Sequence, residues 1–209
     1  MNYKWAKDFT LQLIDQYSTA GAITPESYNN QADYIAKIPN FLNEALSYVC
    51  SSARRIRATV PLRDLEKTQN GDWNIYTLPE DCMEIMGGGL VRFVGESMQR
   101  FHRYHLVGAE QIAVPASISD DVLVEYFRRP NLLSNRPAEE DEMDGIREVQ
   151  MVLPYYAAAN LVMYDNEFAY GALMSEFESK VQRLREQQQT EFNVVEDAYS
   201  ASEWEETGW

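Results

Sequence analysis

The residues best able to do chemistry are few, and their spacing works against it. His102 and His105 form HRYH. A helical zinc pair needs histidines four apart with a glutamate after the first. Here they are three apart and an arginine follows. In a strand, positions three apart point to opposite faces, so these read as two surface or half-buried histidines. The stretch GGGLVRFVG (Gly87 to Gly95) lacks the Lys-Ser/Thr of a phosphate loop and the strand–GxGxxG–helix order of a dinucleotide site. It reads as a structural turn. Glu139, Glu140, Asp141, Glu142 and Asp144 are a run of carboxylates without the positions or the glycine of a calcium loop. They read as a solvated loop. No serine sits in a GxSxG elbow. Cys50 and Cys82 stand far apart with no CxxC, so they read as two ordinary buried thiols and not as a disulfide framework or zinc site. The reading is a non-enzyme with no catalytic residue, no metal and no cofactor. Arg128 and Arg129, before Pro130, are candidate interface bases for an acidic partner or a phosphate, and a local salt bridge to the nearby carboxylates is an equal alternative.

Composition narrows the partners. The chain has 209 residues, 45% of them hydrophobic, enough for one core or for a core with a smaller appended lobe. Mean hydropathy is −0.44, and no apolar run approaches the roughly 20 residues of a membrane span. The N-terminal MNYKWAKDFTLQLIDQYS has charges inside its apolar pattern and no signal-peptide apolar region, so it reads as a helix of the mature protein. The thiols suit a reducing compartment such as a bacterial cytoplasm. With 33 acids against 18 bases the net charge is −15. Tight general binding to nucleic acid needs phosphate neutralisation by Lys and Arg, so this balance argues against it.

Apolar periodicity supplies the elements. Trp5, Phe9, Leu13 and Tyr17, four apart, predict an amphipathic helix over 3–18. Tyr34, Ile38, Phe41, Leu42, Ala45, Tyr48 and Val49 predict a second apolar face. Pro39 suits a first helical turn, so a short helix and then a longer one from Pro39 to Arg55 are expected. From Thr59 the period becomes that of strands. Asn70-Gly71 is a turn signal, Gly87-Gly88-Gly89 and Ser119-Asp120-Asp121 are breaks, and RYHLVG pairs with EQIAV across Gly108. Residues 131–143 read as a polar loop.

The stretch LPYYAAANLVMYDNE, Leu153 to Glu167, belongs to a third helix over 147–164. Ala157, Ala158 and Ala159 let another helix come close, Pro154 marks a kink or a first turn, and Asp165-Asn166-Glu167 reads as a break with an N-cap. Tyr155, Tyr156, Tyr164, Phe168 and Phe177 are expected to pack the bundle. A fourth helix follows to about Thr190. The last segment, FNVVEDAYSASEWEETGW, has no Lys or Arg and places Phe192, Val194, Val195, Tyr199, Trp204 and Trp209 among acids and serines. Its composition predicts disorder unless a partner holds it.

The expected fold is therefore α+β: mainly an α-helical bundle with an inserted small antiparallel β lobe and an extended C-terminal arm. Its parts are the bundle's N-terminal helices over 1–58, the β lobe over 59–130, the C-terminal helices over 131–190 and the acidic arm over 191–209.

The order of KIPNFLNEALSYVCSSARRI, IYTLPEDCMEI, VLVEYFRRP and REVQMVLPYYAAANLVMYDNEFAYGALMSEFESKVQRLRE resembles the head-to-tail adaptors of tailed bacteriophages, also called connector or head-completion proteins. The resemblance covers most of residues 1–190. It implies a ring, usually of twelve copies, on the underside of the portal protein, with no catalytic residue. It implies a bundle that builds the ring and a C-terminal extension that docks on the portal or on a neighbouring copy. Downstream neck or tail proteins would be further partners, and DNA would pass through without specific binding. The protein would be made in the host bacterial cytoplasm and reside at the neck of the virion, with no membrane contact. On this reading Phe192, Val194, Val195, Tyr199, Trp204 and Trp209 bind the portal or the neighbour. Twelve chains at −15 make a collar of roughly −180. The alternatives are another neck or tail-completion ring, and an acidic protein-binding module of the cell.

Overall fold

The computed structural model describes residues 1–18, 28–94, 97–118 and 121–203, with the backbone alone for 17–18, 28–31, 88, 94, 97 and 190–203. The chain divides into two compact units: Met1–Arg54 with Pro130–Trp209, and Arg55–Arg129.

The first unit holds α1 (Tyr3–Ser18), α2 (Tyr28–Ser52), α3 (Arg147–Val162) and α4 (Glu167–Glu203). Helix α3 lies among the other three, and each packs on it. That position explains its composition. A helix covered on most sides must be apolar nearly all round, and Val149, Val152, Leu153, Ala157, Ala158, Ala159, Leu161 and Val162 are all buried. The three alanines have no exposed surface at all. Without longer side chains there, the neighbouring backbones can approach closely.

Helix α1 buries Tyr3, Ala6, Thr10, Leu13 and Ile14. Thr10 does so at little cost, because its hydroxyl donates to the Ala6 carbonyl at 2.8 Å. Trp5 and Phe9 lie at the rim of this face, 5.3 Å apart, and Phe9 meets the Tyr155 ring edge-on at 5.7 Å. Helix α2 is continuous, which corrects the expected split at Pro39. The proline sits inside the helix and is buried. It removes one backbone donor, yet Ile38, Leu42, Ala45, Leu46 and Val49 on either side are packed into the core and hold the helix through it.

Before α3, the loop that reads as solvated acids is tied down. Glu139 pairs with Lys7 at 2.6 Å and Lys4 at 3.2 Å. These lysines hold its carboxyl below the usual carboxylate range. Asp141 and Asp144 accept backbone N–H bonds from Ala138 and Asn131.

The second unit is built of strands: β1 (Ile56–Pro61), β2 (Lys67–Asn70), β3 (Trp73–Thr77), β4 (Cys82–Val94), β5 (Ser97–Phe101), β6 (His105–Val107), β7 (Gln111–Pro115) and β8 (Leu123–Arg128). They form two antiparallel four-stranded sheets, ordered β1-β8-β4-β5 and β2-β3-β7-β6. One core draws on both sheets: Leu62, Tyr76, Leu78, Leu90, Ile112, Val114, Val122 and Val124. The β2–β3 hairpin turns at Gly71, whose φ of +60° suits glycine.

Three expectations about the fold are corrected here. The β part is not a small lobe on a mainly helical bundle. Two sheets with their own core make the protein α+β with strands a large share. The glycine run taken as a break lies inside β4, which continues for 13 residues. The β4–β8 register shifts between Ile85 and Leu90, so the glycines form an irregularity within the strand. A Cβ on Gly89 would stand 2.2 Å from Ile85 Cγ2 and 2.6 Å from the Met86 carbonyl oxygen, so no other residue fits without movement. The third correction concerns the C-terminus. Among the described residues, 191–203 are not an extended arm, because α4 runs on to Glu203. After Gly171 the helix contains neither glycine nor proline, and its Glu, Gln and Ala are good helix formers.

Candidate interaction surface

Helix α3 ends at Val162, and α4 begins at Glu167. The turn between them is fixed by backbone bonds from Asp165 and Asn166 to the Val162 carbonyl, at 3.0 and 2.9 Å. The Asn166 side chain accepts the Ala169 N–H at 3.0 Å and so caps α4. A second helix also pins the turn, since the Tyr34 hydroxyl of α2 donates to Asp165 Oδ2. Burial pushes the Tyr34 phenol up to about 12, and the hydrogen bond and the Asp165 charge act in the same direction.

This well-held turn carries side chains that the unit does not bury. Tyr164 is 91% exposed and Phe168 78%, with Met163 and Ile35 also exposed. The expectation that Tyr164 and Phe168 pack the bundle is thereby corrected. Tyr164 lies beyond the end of α3, and Phe168 projects from the side of α4 away from its buried stripe of Ala169, Leu173, Phe177, Val181 and Leu184. Asp33, Asp165 and Glu167 give the turn an acidic margin, with Lys37 paired to Asp33 at 3.2 Å.

The other three aromatics lie further down the helices. Phe177 is 2% exposed and meets the Tyr156 ring at 5.2 Å and the Tyr48 ring at 6.1 Å. Tyr156 is half-buried, and its hydroxyl donates to Glu44 at 3.4 Å. Burial, then the Glu44 charge, raises that phenol. Tyr155 is half-buried under Lys180, whose Nζ stands 4.8 Å from the ring centre.

These contacts also give α4 a direction. Tyr34 meets Asp165, Tyr48 meets Phe177, and the Ser52 carbonyl accepts from Arg185 Nε at 3.2 Å. So α2 and α4 run the same way, and the turn and the Ser52–Arg185 contact mark opposite ends of the packed part.

The remaining candidates are placed as follows. Phe192, Val194, Val195 and Tyr199 fall in the backbone of α4. Trp204 and Trp209 lie outside the described residues. Arg128 and Arg129 close β8: Arg128 Nη1 donates to the Arg129 carbonyl at 3.0 Å, and the Arg129 N–H donates to the Asp81 carbonyl at 2.7 Å. Nearby, the Tyr126 hydroxyl donates to Asp81 Oδ1 at 3.2 Å. The His105 ring meets the Trp73 ring at 5.1 Å, tilted by 54°. Among the described residues no group of three or more His, Cys, Asp or Glu could hold a metal ion. Among them, too, no helix is long and apolar enough to cross a membrane. What this surface offers is hydrophobic area in a fixed geometry, which suits protein contact.

Sequence reading placed the break and the N-cap at Asp165-Asn166-Glu167, as observed, but missed that Tyr164 and Phe168 stand exposed there. Helical phase was the available signal: Phe168 and Phe177 are nine residues apart, about two and a half turns, and therefore on opposite faces.

Comparison with models of known families and with curated proteins returned no match for this chain.

Proposed function

We propose that this protein is a structural component of a tailed-phage virion. In this reading it is a ring-forming neck adaptor that joins the portal to tail components around the DNA channel. The observation that carries the reading is the length of α4. Its last buried residue among the described side chains is Leu184, yet its backbone stays helical to Glu203. That is about 28 Å of helix after Leu184 at 1.5 Å per residue. A helix of this length is marginal in water on its own, so a partner surface would hold it. The exposed aromatic turn is a second surface of the same kind. A closed ring requires two different complementary patches on every copy. The order of sequence features adds to the reading through its resemblance to adaptor proteins. An acidic collar would also let DNA slide past without sticking.

The test is to mix the purified protein with the portal ring of its own phage and determine the symmetry of the complex. Twelve copies seated on the portal are expected, with docking weakened in a chain lacking residues 191–209. Failure to bind the portal would remove the adaptor reading, and sixfold symmetry would move the protein to a tail ring.

A further inference from the structure

We propose that the exposed α3–α4 turn receives the β6 edge of a second copy of this chain. The inference rests on the assembly reading above and adds to it a role for the β unit.

Each half of the contact is an exposed apolar patch with a charged margin, and the two margins have opposite sign. The turn presents Tyr164 at 91% and Phe168 at 78% exposure, with Met163 also exposed. Asp33, Asp165 and Glu167 stand exposed around it. Asn166 and the Tyr34–Asp165 bond hold the turn from two helices, so its rings do not collapse onto the bundle. The other patch is β6, the last strand of its sheet. Leu106 is 62% exposed and Val107 40%. His102, Arg103 and His105 are exposed in the same stretch. Leu106 stands opposite Ile112, which belongs to the core. Leu106 therefore lies on the core-facing side of the sheet, and His105 and Val107 lie on the other. Both sides of this edge show apolar surface.

The opposite edge of the same sheet is built differently. Strand β2 is Lys67-Thr68-Gln69-Asn70, polar and exposed throughout, which is how an edge is commonly protected. Strand β6 lacks that protection. Its three residues are too few to template a partner strand, so what it offers is side chains. Charge decides which surface covers it. The β unit carries 9 Lys and Arg against 11 Asp and Glu, whereas the helical unit carries 9 against 22. From Ser97 to Ala109 the chain has no acid at all. The acidic turn attracts this basic edge, whereas two turns repel each other. Both patches stay exposed in the chain that carries them, so a second copy supplies the cover. The contact joins unlike patches and continues to a ring or an open chain.

The test uses full-length chains. One variant carries Tyr164→Ser and Phe168→Ser, and another carries Leu106→Ser and Val107→Ser. All four side chains are exposed, and circular dichroism verifies the fold. In sedimentation over a concentration series the natural chain is expected to self-associate, and each variant to do so at least about tenfold more weakly. Mixing the two variants leaves one intact pair of surfaces, so a one-to-one dimer and no larger species should form. Arg103→Glu should weaken association about tenfold by setting like charges together, whereas Arg136→Glu, the same charge change in the loop before α3, should leave it unchanged. A natural chain that is monomeric throughout overturns the proposal. So does unchanged association of either double variant, a mixture that stays monomeric, or an Arg103 variant that behaves as the Arg136 one. Docking on the portal ring is read separately. A natural chain that docks while both double variants associate normally overturns this inference alone. A mixture that pairs while the natural chain does not bind the portal overturns the adaptor reading alone.

Discussion

Phe168 and Phe177 are the same residue on the same helix, and the structure treats them oppositely. Phe177 is enclosed by Tyr48 and Tyr156 at 2% exposure, while Phe168 is 78% exposed beside an equally exposed Tyr164. The difference is one of helical phase. It shows that aromatic content alone does not say which part of a helix stabilises the chain and which part is left for a partner.

Four experiments would break or sharpen this contrast. The largest effect belongs to Phe177→Ala, which should cost about 3–5 kcal/mol as a buried cavity opens between three helices. A denaturant melt that shifts as little as for Phe168→Ala would abolish the contrast. Next is Ala158→Leu. With no exposed surface and α3 among three helices, the added side chain should destabilise by about 1–3 kcal/mol through overpacking. A neutral result would mean that the helices are not in close contact there.

A smaller effect concerns the tie that fixes the turn. The Tyr34 phenol is pushed up from its ordinary value of 10.0 to about 12. Its neutral form is therefore favoured in the folded state, and its contribution is fully present below pH 10. Above that the unfolded chain loses the proton first, so stability falls with rising pH until about 12. Natural and Tyr34→Phe chains should differ in urea midpoint at pH 9 and converge beyond pH 12. A constant difference would show that the phenol proton plays no part. The smallest effect is that of Phe168→Ser, expected within about 0.5 kcal/mol of the natural stability as an exposed substitution. A larger loss would place Phe168 in the fold and not at an interface.

Legibility in the sequence varied by element. The helices around α1, α3 and α4 could be read because their apolar spacing is regular and long. The hairpin at Gly71 and the β6–β7 pair showed through turn chemistry. Pro39 misled, because packing of Ile38 and Leu42 overrode a local breaker. The glycine run misled for a different reason. Gly89 allows a close backbone approach within β4, and that approach depends on Ile85 and Met86 being folded over it. The C-terminal composition suggested an arm, but the helix-forming residues between Gly171 and Glu203 outweighed its charge.

By itself the sequence determined the absence of recognised catalytic and metal motifs, the acidic balance and the existence of helical and strand regions. These follow from residue type and short-range spacing, which need no tertiary contact. Only the tertiary structure decided that the strands form two sheets with a common core, that α3 is enclosed by three helices, and that Tyr164 and Phe168 face water. Those outcomes depend on which surfaces meet across long stretches of chain. Burial belongs to such meetings, and residue identity sets only how much a side chain gains from them.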